Sequence, residues 1–164
     1  MSEKLVRGTD PPPKRVKFEV VRVTTTEPQT FICLSRAIWG QPVHWNGRRS
    51  QQCTKDSSTC PGCKDNMPQK WQGYLHVAMS PGSWEGFLEV TQTCWEMILQ
   101  QLRPGEHLRG LMIRLNKTKG GPKGRYVVSV MERRLDEAEL LKEKDPLPTL
   151  EFLWSVKKQP VSLK

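Results

Sequence analysis

The chain has 164 residues, room for one domain of ordinary size with tails. Its 26 Lys+Arg against 17 Asp+Glu give a formal net charge of +9 and a pI near 9.5, which points to a polyanionic partner. Apolar residues make up only 36%, no run approaches the roughly 18 that a membrane helix needs, and MSEKLVRGTDPPPKR lacks the apolar stretch of a signal peptide. The expectation is a cytoplasmic protein with no membrane partner.

Residues 1–15 carry Gly8, Pro11, Pro12, Pro13, Lys14 and Arg15; they cannot bury a face and read as a flexible basic arm. A domain over 16–135 follows. KFEVVRVT is β-rich, and TFICLS is a second strand after the turn at Glu27, Pro28 and Gln29. Residues 40–70 are polar and rich in Gly, Pro, Ser, Asn and Gln, a length that needs some other agent to order it. Leu75, Val77 and Met79 then alternate with Tyr74, His76 and Ala78, a strand with two distinct faces. Pro81-Gly82 turns the chain into WEGFLEV (84–90), another strand or the continuation of the last.

A helix comes next. Thr93 and Glu96 have capping-box spacing, Trp95, Ile98, Leu99 and Leu102 form its stripe, and Pro104-Gly105 stops it. RGLMIRLN and RYVVSVMER then flank KTKGGPKG as a β-hairpin. Residues 136–164 hold six acids against five bases and read as a short helix over DEAELLKEK followed by a tail. Within that tail Leu150, Phe152, Leu153 and Trp154 must pack on the domain or on a partner.

Strand, strand, insertion, strand, helix, hairpin is mainly β. Five strands with one helix between the third and fourth is the chain order of an OB-fold. The predicted architecture is an OB-like five-stranded barrel with one short helix and an inserted zinc-binding loop at 40–70. A small mixed α+β sheet is the competing arrangement.

Five cysteines stand at 33, 53, 60, 63 and 94, an odd count that argues against a disulfide framework. His44, Cys53, Cys60 and Cys63 fit H-x8-C-x6-C-x2-C. Zn²⁺ favours four tetrahedral N/S ligands, and Pro61-Gly62 lets the C-x2-C pair reach one ion. The expected cofactor is one structural Zn²⁺ per chain, with His76 or Cys33 as alternatives to His44. Four protein ligands leave no open position for water. A zinc deaminase is excluded, because its glutamate base in H-x-E is absent from His44-Trp45-Asn46. Cys33 and Cys94 sit in apolar contexts and read as buried small hydrophobes.

Between Arg109 and Arg134 eight bases face one acid, Glu132. Lys117, Lys119, Lys123 and Arg125 crowd the hairpin turn and, with Arg114, are candidates for phosphate contacts. Six tryptophans supply candidate stacking surfaces. Trp71, Trp84, Trp95 and Trp154 read as packing residues, and Tyr74 as a stacking residue on its strand's second face. Trp39 and Trp45, among Arg36, Arg48 and Arg49, either stack bases or cover the metal loop.

An OB-like strand order interrupted by a His44-Cys53-Cys60-Cys63 loop resembles the zinc-containing OB-fold single-stranded DNA-binding proteins of the T-even phage type. The resemblance implies sequence-tolerant coating of single strands by an accessory of replication, recombination or repair. Where that family carries a strongly acidic C-terminal tail, this sequence reads LWSVKKQPVSLK.

The expected function is therefore non-catalytic binding of single-stranded DNA or RNA. The acids of 16–135 are scattered without a metal-binding pair, and Lys119-Gly120-Gly121-Pro122-Lys123-Gly124 is not a P-loop. The alternative is a zinc-stabilised adaptor that docks on a larger nucleic-acid-processing assembly through its C-terminal segment.

Overall fold

The computed structural model describes residues 19–45, 50–79, 84–121 and 123–150. The basic arm, the Pro81-Gly82 turn, Arg48, Arg49 and the segment holding Phe152 and Trp154 lie outside the described residues. Among the described residues no helix is long and apolar enough to cross a membrane.

The elements in chain order are β1 (Glu19–Val21), β2 (Gln29–Cys33), β3 (Trp39–Trp45), β4 (Ser50–Gln52), α1 (Pro61–Lys64), β5 (Gln69–Met79) and β6 (Glu85–Thr91). After them come α2 (Gln92–Leu99), β7 (Leu111–Lys117), β8 (Tyr126–Arg134) and a 3-10 turn at Glu137–Glu139. The chain is mainly β, and among the described residues the strands form one mixed sheet of eight.

β5 is its spine. The N-terminal part of this 11-residue strand pairs antiparallel with β3, from His44↔Gln69 to Trp39↔Tyr74. Its C-terminal end pairs on the same edge with β2, from Cys33↔Val77 to Phe31↔Met79, and β6 runs along the other edge. β2 continues to β7, and β7 to β8, giving the order β1-β6-β5-β2-β7-β8. Within it β7-β2-β5-β6 is a Greek key whose long return carries α2.

The sheet is open where the sequence predicts a five-stranded barrel. No ladder joins β8 to β6 among the described residues, because β1 occupies that edge of β6 in parallel pairing, Glu19↔Gly86 to Val21↔Leu88. The absence of a side chain at Gly86 permits this approach: a Cβ there would lie 2.7 Å from the Glu19 carbonyl oxygen.

The predicted alternation of β5 is present. Leu75 and Val77 enter the main core with Phe31, Leu88, Val90, Ile98, Ile113 and Leu115, all buried. Burial of each such side chain stabilises the fold by about 1.5–3 kcal/mol. The second face is also covered. Tyr74 packs with Leu150, Val20, Trp39 and Leu147, since the chain after β8 returns across it. Lys144 ties that return down: its backbone N–H donates to His76 Nδ1 at 3.1 Å and its Nζ to Glu85 Oε1 at 2.7 Å.

Three local expectations shift, the first at 136–144, where a 3-10 turn at Glu137–Glu139 stands in place of the predicted short helix. Helix α2 is capped by Thr91, whose hydroxyl accepts from the Cys94 N–H at 3.2 Å, two residues before Thr93. Cys94 and Ile98 therefore face inward and Leu99 is 46% exposed. Within 40–70, read as a loop, β3 forms despite Gly40 and Pro42, because β5 offers it a six-pair ladder that local propensity does not announce.

Candidate metal centre and the groove beside it

Three separate pieces of chain bring His44, Cys53, Cys60 and Cys63 together. His44 lies on β3, Cys53 directly follows β4, and Cys60-Pro61-Gly62-Cys63 opens α1. The Cys53 N–H donates to the Pro42 carbonyl at 3.0 Å, so the β3–β4 hairpin sets the position of its sulfur. After α1, Asn66 takes φ +51° and the Met67 N–H returns to the Gly62 carbonyl at 2.8 Å. This Schellman-type stop turns the chain back into β5.

The four ligand atoms all lie within 4.8 Å of one another. Cys63 Sγ is 3.5 Å from Cys53 Sγ and 3.4 Å from His44 Nε2. A tetrahedral ion with Zn–S near 2.3 Å and Zn–N near 2.0–2.1 Å sets its ligand atoms about 3.5–3.8 Å apart, so the cluster fits one metal ion. His76 and Cys33 are not part of it: His76 bonds Glu85 at 3.0 Å, and Cys33 is buried in the sheet core. Burial pushes the Cys33 and Cys94 thiols up to about 12, as expected of inert core sulfurs.

The surroundings favour ligation. His44 Nδ1 stands 3.1 and 3.2 Å from the Met67 and Pro68 carbonyls, so Nδ1 carries the proton and Nε2 presents its lone pair. Gln69 Nε2 donates to Cys53 Sγ at 3.1 Å and the Lys55 N–H does so at 3.4 Å, with Lys55 at φ +59° to aim it. Burial opposes the thiolate of Cys53, yet these donors outweigh it and hold its pKa below the usual thiol value. Burial likewise opposes the Cys60 thiolate, but backbone donors from Cys63 and Thr54 bring it down to about 6. Cys63 is pushed up to about 12 by its bonding to Cys53, by burial and by Cys60. Three thiolates cannot coexist there without a compensating cation, which is what a divalent ion supplies. Gly62 has a second reason to be glycine: a Cβ there would sit 2.4 Å from the His44 ring.

Next to the centre lies a groove of about 1020 Å³. Trp45 and Ser50 from the β3–β4 hairpin, Lys70 and Trp71 from β5, Arg22, Arg125 from the β7–β8 loop and Tyr126 at the start of β8 line it. Trp45 is 46% exposed. Of the predicted nucleic-acid residues, the groove unites Trp45 and Arg125. Lys119, Lys123 and Arg114 are exposed outside its lining.

Two predicted contacts are corrected. Tyr74 is 3% exposed beneath Leu150, with its hydroxyl donating to Gln72 Oε1 at 3.2 Å, so its ring is no stacking surface. Lys117 is 6% exposed; its Nζ donates to the Gly121 carbonyl at 3.1 Å and lies 4.8 Å from the Tyr126 ring centroid, bracing the hairpin. Trp39 packs 6.0 Å from the Tyr74 ring, away from the metal ligands. Arg48 and Arg49 lie outside the described residues.

Sequence reasoning missed Arg22, Lys70, Trp71 and Tyr126 as groove residues. Lys70-Trp71, a cation beside an aromatic at the exit of the cysteine cluster, was the available signal. No family model matches this chain, and neither a curated protein nor a solved structure matches it.

Proposed function

We propose that the protein binds single-stranded nucleic acid without catalysis, on an OB-like domain whose insertion is held by one structural Zn²⁺ at His44, Cys53, Cys60 and Cys63. Soft thiolates plus one imidazole select zinc among common intracellular ions, and four protein ligands leave none of its positions for a reacting water. The Greek-key order with a helix on the long return supports the OB-like reading, in its partly open form. In that form the loop between the first two strands and the loop of the last hairpin bind oligonucleotides. Here these are the metal insertion and the Lys119–Arg125 turn.

The observation that carries the reading is the groove between those two loops, which combines Trp45, Trp71 and Tyr126 with Arg22, Lys70 and Arg125. Aromatics offer π-faces to unpaired bases while cations follow the phosphates. An accessory role in replication, recombination or repair accords with the family resemblance.

The test is a salt titration of binding to fluorescent dT, rU and duplex oligonucleotides, with zinc measured on the same sample. The proposal expects about one zinc per chain, preference for single strands, and affinity that falls log-linearly with salt. Arg125→Ala reduces the magnitude of that slope by about 0.7, the share of one phosphate on a single strand. Preference for duplex overturns the reading. One zinc with no oligonucleotide binding moves the function to the protein-docking adaptor.

A further inference from the structure

Trp71 is half-buried, yet among the described residues it belongs to neither apolar cluster of the domain. It lies instead on glycine. Gly40 of β3 faces Gly73 of β5 across the ladder. A Cβ on Gly40 would stand 2.3 Å from Trp71 Cζ2, and one on Gly73 2.4 Å from Ile38 Cδ1 and 2.6 Å from Trp71 Cη2, so the ring shares the second position with a side chain at the core's edge. The benzo ring of the indole thus rests on two bare backbone positions, a bed that any other residue pair would fill.

The same side chain lines the groove, next to the exposed Lys70 and with Arg125 among the other lining residues. Arg22 is already engaged by Glu89, which leaves Lys70 and Arg125 as the groove cations without an ion pair among the described residues. Half-buried and seated against backbone at the margin of the core, with cations in the same groove, the indole leaves part of its surface in the groove. It is pre-organised to receive another flat ring.

We propose that Trp71 is the stacking platform for one unpaired base, with Lys70 and Arg125 engaging the phosphates on either side. This rests on the single-strand reading above and assigns the base contact within it. The paired glycines are then positioning residues: they set the depth and tilt of the ring rather than touching nucleic acid.

The test measures affinity for a dT oligomer, an rU oligomer and a dT oligomer with abasic positions, across a salt series. The proteins are the unmodified chain, Trp71→Ala, Trp71→Phe and Gly40→Ala, each checked for zinc content. Trp71→Ala weakens dT binding about 5- to 150-fold, the range of one base–aromatic stack, and leaves the abasic affinity and the salt slope unchanged. Trp71→Phe keeps most of the preference for dT over the abasic strand. Gly40→Ala lifts the ring and loses part of that preference although the indole is still present, a result that a merely structural tryptophan does not give. Should Trp71→Ala lose its zinc, Trp71→Phe and Gly40→Ala carry the comparison. Equal loss on dT and rU assigns the contact to the base and not the sugar, whereas loss on rU alone or dT alone overturns base stacking as its source. If the unmodified chain binds no single strand, the functional reading itself fails. If it binds dT while Trp71→Ala and Gly40→Ala match it, or if abasic positions cost it nothing, the platform is wrong and the reading stands.

Discussion

The sheet core and the insertion between β2 and β5 hold their shapes by different physics. The core closes on Phe31, Leu75, Leu88, Ile98, Ile113 and Leu115, none more than 1% exposed. Between 39 and 69, by contrast, Val43 is the one aliphatic side chain buried among the described residues; the other buried apolar groups are Cys53 and Cys60. The core is ordered by removal of hydrocarbon from water, which is additive and spread over many residues. The insertion has the β3–β4 and β3–β5 ladders and a cluster of four ligand atoms instead, so a bound metal would concentrate its stability at a point.

Metal removal separates the two most sharply. Structural zinc in small domains contributes about 10–16 kcal/mol of apparent binding energy. Stripping the metal with a strong chelator, or replacing Cys60 by Ser, is expected to abolish amide protection across 39–69 while the amides of β7 keep theirs. Hydrogen exchange by residue reads this directly. Leu75→Ala is the converse: it costs about 2–5 kcal/mol, lowering the denaturant midpoint, while the folded protein retains its full metal stoichiometry. If chelation instead melts both regions together, the insertion is a part of the core and the contrast is wrong.

The two regions were also legible in different ways. The β5 alternation, the β7–β8 hairpin and the existence of the helix were readable because period and turn chemistry are local, although the helix turns Cys94 and Ile98 inward and leaves Leu99 exposed. The His44-Cys53-Cys60-Cys63 cluster was readable because Cys60-x2-Cys63 with Cys53 and His44 upstream is a chemical pattern that needs no period. What escaped was pairing between distant pieces. β3 carries Gly40 and Pro42, which argue for a loop until β5 is there to pair with it. Tyr74 reads as an exposed face because nothing local tells that residues 141–150 return over it. Trp71 was assigned to the core from its alternation with Leu75, yet at its end of the strand that face meets the groove. The barrel expectation includes the first strand but misses its pairing with β6 for the same reason, since a parallel partner leaves no hairpin signal.

A smaller effect tests whether the insertion is shaped by its ligands alone or by packing around them. Gly62→Ala adds only a methyl group, but that methyl meets the His44 ring, which must swing away from the cluster. Outer-sphere changes at metal sites typically cost 10- to 100-fold in affinity. Competition with a chromophoric chelator is expected to show a loss in that range, and the spectrum of the Co²⁺-loaded protein to report a weakened nitrogen ligand. An unchanged affinity means His44 reaches the ion from another rotamer and Gly62 serves only the turn.

The smallest effect lies on the core side, at His76. It is 1% exposed, and its Nδ1 accepts from the Lys144 N–H, so Nε2 carries the proton that faces Glu85. Burial holds its pKa below the ordinary 6.5, against the pull of Glu85, and the nearby Lys144 ammonium acts in the same direction as burial. The unfolded chain therefore binds more protons than the folded one as the pH falls below 6.5. Stability from this group is complete above 6.5 and is lost as the pH falls toward the folded value, with a slope of at most about 1.36 kcal/mol per pH unit for one proton. Glu85, whose pKa is lowered by Lys144 and His76 against burial, adds a loss of the same sign starting near 4.5. Denaturant midpoints for the unmodified chain and His76→Gln, taken from pH 7.5 to 5, isolate the histidine. Acid also protonates the metal ligands, but that loss is common to both proteins and cancels in their difference. A difference that grows steadily below pH 6.5 assigns the slope to His76. A difference that stays constant means the imidazole takes up its proton equally in the folded and unfolded states, and acid sensitivity then belongs wholly to the metal insertion.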